Sequence, residues 1–301
     1  MTSEAVLLMA YGTPSRPEDV EAYYTDIRRG RPPSAEQLAD LVRRYDAIGG
    51  ISPLADRTEA QRARLQAALD DLAPGRFEVV LGFKHVDPFI EDAVTDLRER
   101  GVERIVGLVL APHYSALSVG EYLDRARSTA GDTPFAAVES WATEPAYVTF
   151  LAAAVQSSLA SLPEGTKVLF TAHSLPERVR ALGDPYVEEL RATAEAVAAA
   201  AGLAPWSQWA TAWQSAGRTP EPWLGPDILQ VIAELAGTGR GTGILVCPCG
   251  FVADHLEVLY DLDVEARQAA ERAGLAFART AVVNDDPAVL AALAARVVAA
   301  A

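Results

Sequence analysis

Short apolar runs of strand length alternate with amphipathic stretches of helix length along the whole chain. This alternation limits the possible folds more than any other feature. Val6–Ala10, Phe77–Gly82, Ile105–Ala111, Phe135–Glu139, Val168–Ala172, Trp209–Trp213, Gly243–Val246 and Leu275–Arg279 read as strands. Helix-like stretches lie between them: Pro17–Arg29, Ala35–Asp46, Arg57–Leu72, Pro88–Arg100, Val119–Thr129, Pro145–Ala160, Val187–Ala200, Pro226–Ala236 and Ala266–Ala273, with a last helix from about Pro287 to Val298. Strands alternating with helices imply βαβ units and largely parallel sheets, an α/β fold.

The chain also repeats itself. Val6-Leu7-Leu8-Met9-Ala10-Tyr11-Gly12-Thr13-Pro14 aligns with Val168-Leu169-Phe170-Thr171-Ala172-His173-Ser174-Leu175-Pro176 at a constant offset (168 − 6 = 162), with four of nine positions identical. Each segment is a buried strand, then one polar ring residue, then a turn with proline. In open α/β sheets, ligands bind beyond the carboxyl ends of strands. The repeat therefore predicts two similar domains, residues 1–142 and 143–301, with Tyr11 and His173 facing each other across a cleft. The last helix is expected to pack back on the first domain.

At 301 residues, half of them hydrophobic, the chain can bury two cores of ordinary size. Asp and Glu number 41 against 26 Lys and Arg, a formal charge of −15. Nucleic acid and anionic membrane surfaces call for the opposite balance. No apolar run reaches the roughly 18 residues of a membrane span. Met1–Tyr11 carries Glu4 and no basic region, so it does not read as a signal peptide. Two cysteines make no disulfide framework, and the cytoplasm is the expected location.

Of four histidines, His173 stands out, because it sits where a strand ends and a loop begins. Near neutral pH an imidazole there can ligate a metal or take a proton. His113 and His255 read as structural. Glu257, Asp261 and Glu265 are spaced i, i+4, i+8, which on a helix stacks three carboxylates along one face. Apolar Leu256, Val258, Leu259 and Leu262 surround them, an arrangement suited to a hard cation or a proton relay. The irregular stretch Gln214–Asp227, rich in Pro and Gly and containing Trp223, reads as a site-bracing or crossover loop. Arg28, Arg29 and Arg31 form a basic cluster, with Arg43, Arg44 and Tyr45 on the next helix; arginine binds carboxylates bidentately. Cys247 and Cys249 read as buried small hydrophobes. P-loop, nucleophile-elbow and dinucleotide signatures are missing.

Taken together, these segments resemble the ferrochelatases, which insert Fe²⁺ into a porphyrin. The resemblance runs nearly end to end. It rests on Met9–Pro14, Arg44–Pro53, Pro88–Val94, Thr171–Pro176, Gly183–Tyr186, Trp213–Ser215 with Pro222–Asp227, and Gly250–Asp261. It is closest to the soluble bacterial branch that metallates coproporphyrin III. The family fold is two Rossmann-like domains, each a parallel sheet flanked by helices, with a porphyrin cleft between them.

The resemblance implies that His173 and Glu257 form the metal-insertion pair, with His173 as iron ligand or as acceptor of pyrrole protons. Asp261 and Glu265 match an acidic line that leads metal inward. Tyr11 matches a phenol on the other porphyrin face, an axial ligand to product iron. Arg28, Arg44, Tyr45, Ser52 and Tyr122 match positions that hold propionates. The expected partners are coproporphyrin III and Fe²⁺, with no nucleic acid, no stable membrane association, and transient contact with neighbouring haem-pathway enzymes. No cofactor is expected beyond the substrate Fe²⁺. A 2Fe–2S cluster, which in some relatives takes four cysteines, is not expected of a chain with two. The same chemistry on protoporphyrin IX and a non-enzymatic tetrapyrrole carrier are the alternatives.

Overall fold

The computed structural model describes residues 4–205 and 207–301; Met1–Ser3, the start of the stretch read above for a signal peptide, and Trp206 lie outside the described residues. Two four-stranded sheets form, and every strand pairing is parallel. The first contains β1 (Glu4–Ala10), β2 (Phe77–Phe83), β3 (Arg104–Val109) and β4 (Phe135–Val138), in the order β2-β1-β3-β4. The second contains β5 (Lys167–His173), β6 (Trp209–Gln214), β7 (Gly243–Cys247) and β8 (Ala276–Arg279), in the order β6-β5-β7-β8. All eight expected strands are present. The two sheets have the same order, and β1 and β5, the halves of the sequence repeat, hold the same place in each.

Burial explains why uninterrupted apolar runs become strands here. Ala5–Met9 in β1 and Ile244–Cys247 in β7 are fully buried, because helices cover both faces of a parallel sheet. One continuous core joins the two halves, running from Val6 and Leu8 through Trp141 and Tyr147 to Phe170, Cys247 and Val297. The helix Pro287–Ala300, capped by the Asp286 carboxylate on the Ala288 and Val289 N–H groups, packs against the helix Leu54–Leu72 and against β4. Cys247 and Cys249 are fully buried and unbridged, and burial pushes the Cys247 thiol up to about 12, as fits small core residues. Among the described residues, no helix is long and apolar enough to cross a membrane.

Two expectations change. The stretch Pro17–Arg29 divides into a 3₁₀ turn, Pro17–Asp19, and an α-helix, Val20–Ile27. The acidic segment is not one α-helix: a short turn, Leu256–Leu259, leads into a π-helical turn, Asp261–Ala266, in which the Glu265 N–H reaches back to the Tyr260 carbonyl. Such turns interrupt α-helices, often at functional sites.

Candidate active site

In both sheets the order reverses at the central pair, β1/β3 and β5/β7, and the loops beyond their carboxyl ends carry the candidate residues. Tyr11 follows β1 directly. Gly12, at φ +87°, turns the chain where a Cβ would lie 2.5 Å from Val86 Cγ2. The β1–β2 pairing continues past the strands, since the His85 N–H donates to the Tyr11 carbonyl at 3.2 Å. The His85 ring packs edge-on against Tyr11 with centroids 4.5 Å apart, and its Nδ1 lies 2.6 Å from Asp26 Oδ2. The sequence left His85 unassigned; the register of two strands far apart in the chain places it here.

His173 ends β5 and is held from three sides. The Ser174 N–H donates to the Gln214 carbonyl at 2.8 Å, the Ser174 hydroxyl to the Leu224 carbonyl at 2.8 Å, and the Tyr186 hydroxyl to the His173 carbonyl at 2.9 Å. Nδ1 of His173 faces the Ser174 carbonyl, which can only accept, so Nδ1 carries the proton and Nε2 is left to act. Nε2 lies 3.5 Å from Glu257 Oε1.

Glu257 arrives from the loop after β7. This loop crosses β5 at Gly250, where a Cβ would lie 2.4 Å from Ala172 Cβ and 2.6 Å from Ala172 Cα, so only glycine fits. The Gly250 N–H donates to the Thr171 carbonyl at 2.9 Å. Gln214 ties the parts together: Thr171 Oγ1 donates to its Oε1 at 2.8 Å, and its Nε2 donates to the Glu257 carbonyl at 3.0 Å. His255, read from sequence as structural, instead sets its Nε2 3.7 Å from Glu257 Oε2. No local signal revealed this. His113 is structural as expected: it is buried against Thr193 Oγ1 at 2.8 Å, and burial pushes its pKa down to about 3.

The electrostatics follow from this packing. His173 and Glu257 keep 35% and 38% of their side-chain surface open. Burial opposes the charge on Glu257, but His173 and His255 beside it hold the carboxyl well below its usual range. Burial likewise opposes a charged His173, yet Glu257, the Ser174 carbonyl and Asp261 outweigh it, so its pKa is raised. Burial and the charge on Glu257 push Asp261 up to about 6, against the Ser215 hydroxyl and Arg44. Glu265 adds to that upward push, so Asp261 senses both acidic neighbours, although the segment is not the single α-helix that the i, i+4, i+8 spacing implied.

The aromatic residues complete the walls. Burial, then Glu257, raises the pKa of Tyr11; burial also raises Tyr45 and Tyr122, and Glu257 adds to each. One carboxylate thus acts on phenols from three elements of the first half. Tyr122 is buried below the Lys84 ammonium, 5.2 Å from its ring centroid, and Lys84 Nζ pairs with Glu121 at 2.8 Å. A recess of about 580 Å³ runs beside this wall, lined by Arg29, Glu91, Leu117, Glu121 and Arg125.

Arg44 bridges Asp40 Oδ2 at 3.2 Å and Asp261 Oδ1 at 3.3 Å, and lies over the Tyr260 ring at 4.9 Å. Arg44 therefore reaches the acidic line directly. The helix that presents it, Ala35–Ala47, is fixed by a capping box between Ser34 and Gln37. Arg28 and Ser52 have local partners: Arg28 Nε donates to the Arg31 carbonyl at 3.1 Å, and Ser52 Oγ accepts the Leu54 N–H at 3.2 Å. The loop after β6 both braces and crosses over. Trp223 covers Gly217, the Ser215 hydroxyl donates to Asp261, and Arg218 reaches Asp40 at 2.9 Å. Among the described residues, no three His, Cys, Asp or Glu side chains are gathered to hold a metal ion. His173 and Glu257 are a pair, each side chain partly exposed.

Known proteins share this sequence and this fold. The chain is 45% identical over 297 residues to a coproporphyrin III ferrochelatase of Anoxybacillus flavithermus, covering 96% of this chain and 93% of that protein. It is 44% identical over 297 residues to the coproporphyrin III ferrochelatase of Bacillus subtilis, covering 96% and 95%. The solved structure of the sirohydrochlorin chelatase SirB of Bacillus subtilis subspecies spizizenii, with cobalt, matches with a TM-score of 0.56 at 14% identity, covering 100% of this chain and 96% of that one; that likeness is one of fold. The ferrochelatase family model matches residues 3–301, and with relatives of this identity over nearly the whole length, the chain belongs to the ferrochelatase family.

Proposed function

We propose that this protein inserts Fe²⁺ into coproporphyrin III, releasing two protons and forming the iron porphyrin. The observation that carries the reading is the His173–Glu257 pair, 3.5 Å apart where the two strand-end loops meet, with Asp261 and Glu265 continuing from it. Metallation must strip two pyrrole N–H protons while the ion sheds water. His173 offers Nε2 as proton acceptor, and the charge on Glu257 stabilises the imidazolium that forms. Two side chains alone do not hold an ion tightly, which suits a metal that must pass on to four ring nitrogens. Asp261 and Glu265 supply oxygen donors and proton acceptors along the approach.

Tyr11 faces the opposite side of the ring as the axial ligand to product iron. Arg28, Arg44, Tyr45, Ser52 and Tyr122 receive the propionates, and an arginine-bearing wall in a chain of charge −15 is what a four-carboxylate substrate calls for. In this reading residues 1–142 and 143–301 are the two walls, and iron is substrate with no resident cofactor. Ferrous iron as substrate suits the reducing cytoplasm, with transient contacts to the enzymes that supply and use the porphyrin.

The test is anaerobic Fe²⁺ insertion followed by visible absorption, comparing coproporphyrin III with protoporphyrin IX. Preference for coproporphyrin supports the reading; preference for protoporphyrin overturns the substrate assignment. The variant His173→Ala should bind porphyrin and not turn over. Unchanged turnover there sinks the assignment of the pair.

A further inference from the structure

We propose that Arg279 is a positioning residue for the metal-insertion pair: it staples together both ends of the segment that carries His255, Glu257 and Asp261. The inference rests on the functional reading above for what the segment does, and on geometry alone for how it is held. Arg279 is the last residue of β8, with a side chain only 14% exposed. Its Nε and Nη2 donate to Asp263 Oδ1 and Oδ2 at 2.9 and 2.8 Å, a bidentate pair on the π-helical turn. The same Nη2 lies 3.3 Å from Asp254 Oδ1, at the start of the segment. One guanidinium thus closes a loop from residue 254 to residue 263.

The Asp254 end has further anchors. The Asn284 amide donates to Asp254 Oδ2 at 2.9 Å, and the Asp254 N–H donates to Asn284 Oδ1 at 3.0 Å. Gln61, on the helix Leu54–Leu72, donates to the carbonyls of Val252 at 3.1 Å and Asn284 at 2.9 Å. The first half of the chain therefore grips the foot of this loop. Between the anchors, Glu257 is held by one backbone bond from Gln214 and by the two histidines. Asp263 lies within the π-helical turn, so its bidentate pair with Arg279 ties that turn to the end of β8.

A planar fork can serve two carboxylates at once, and an ammonium cannot reproduce that geometry. Arg279→Lys keeps a cation in place but leaves one end of the loop loose. Outer-shell partners of metal-binding side chains typically change activity by about 10–100-fold. In Arg279→Lys, amide exchange of peptides within residues 255–262 should speed up about tenfold or more, with β1 and β5 peptides unchanged. The Fe²⁺ insertion kcat should fall about tenfold, while coproporphyrin III binding stays as in the unchanged protein. Asp263→Asn, which removes the bidentate acceptor and leaves the cation, should reproduce both effects and replaces the first variant if that one does not fold.

Unchanged exchange in residues 255–262 overturns the staple whether or not the protein inserts iron. Equal losses in insertion and porphyrin binding, with faster exchange everywhere, overturn it as well, by showing general destabilisation. A protein that inserts no iron before any substitution overturns the functional reading instead, and the exchange comparison still decides the staple.

Discussion

Replacing Gly250 by alanine tests how closely the insertion pair is registered. The added Cβ would lie 2.4 Å from Ala172 Cβ and 2.6 Å from Ala172 Cα, whereas ordinary contact begins near 3.4 Å. The two strands of chain must separate by about 1 Å (3.4 − 2.4). Neither side yields readily, because Ala172 is fully buried in β5 and the Gly250 N–H is bonded to Thr171. Overpacking of this kind costs about 1–3 kcal/mol, and stretching the hydrogen bond about 1 kcal/mol more. For a chain of this size, that lowers Tm by roughly 3–6 °C. Ala172 precedes His173, and Gly250 leads to Glu257, so the same displacement opens the pair. A misplacement of about 1 Å can cost about a hundredfold in rate. Scanning calorimetry and anaerobic insertion kinetics measure the two effects together. Gly237→Ala is the control: it sits in the helix Ile228–Thr238 with nothing within 4 Å, and should raise stability by about 0.5–1 kcal/mol with activity unchanged. Gly250→Ala with unaltered Tm and kcat would refute the argument, as would a loss confined to porphyrin KM.

Three further outcomes follow from the site. The raised pKa of His173 means that its Nε2 gains a proton at a pH above the ordinary 6.5 of histidine, so kcat should rise with pH through a value above 6.5; Glu257→Gln should move that limb to lower pH, and a limb that stays put contradicts the pairing. Asp261 has a folded pKa of about 6, above its unfolded value of 3.8, so its charge weighs on the fold fully above pH 6 and is relieved as pH falls toward 4. Asp261→Asn should therefore raise Tm at pH 8 and leave it nearly unchanged near pH 4, with equal shifts at both pH values counting against this account. Tyr11→Phe should bind porphyrin within a few-fold of the unchanged protein and form product with a shifted visible spectrum. An unshifted spectrum removes the phenol from the iron.

Much of the fold could be read from the sequence because parallel strands buried on both faces leave uninterrupted apolar runs, as in β1 and β7. The repeat around Tyr11 and His173 was readable for a related reason: two strands in equivalent sheet positions meet the same packing demands. The π-helical turn was not. It differs from an α-helix in which carbonyl each N–H selects, a choice of one residue that hardly changes the apolar spacing. His255 was missed because its approach to Glu257 depends on how the loop folds back, not on spacing. His85 reaches Tyr11 through strand register, and the signal was present in the alignment of β1 with β2 rather than near either residue. Arg44 was read for substrate, and its bridge to Asp261 joins residues that only the closed tertiary structure brings together.

The return of Pro287–Ala300 onto the first half has a consequence for biosynthesis. This helix contributes Val289, Leu290, Leu293 and Val297 to the core that Val6, Leu8 and Leu65 also share. It is translated after all eight strands. During synthesis, the face of the first half that packs against it stays uncovered while the second half is being made. The first sheet can form early but cannot be sealed early. The final packing of the first half is therefore set late, when a helix from the far end of the sequence closes over the earliest-made strands.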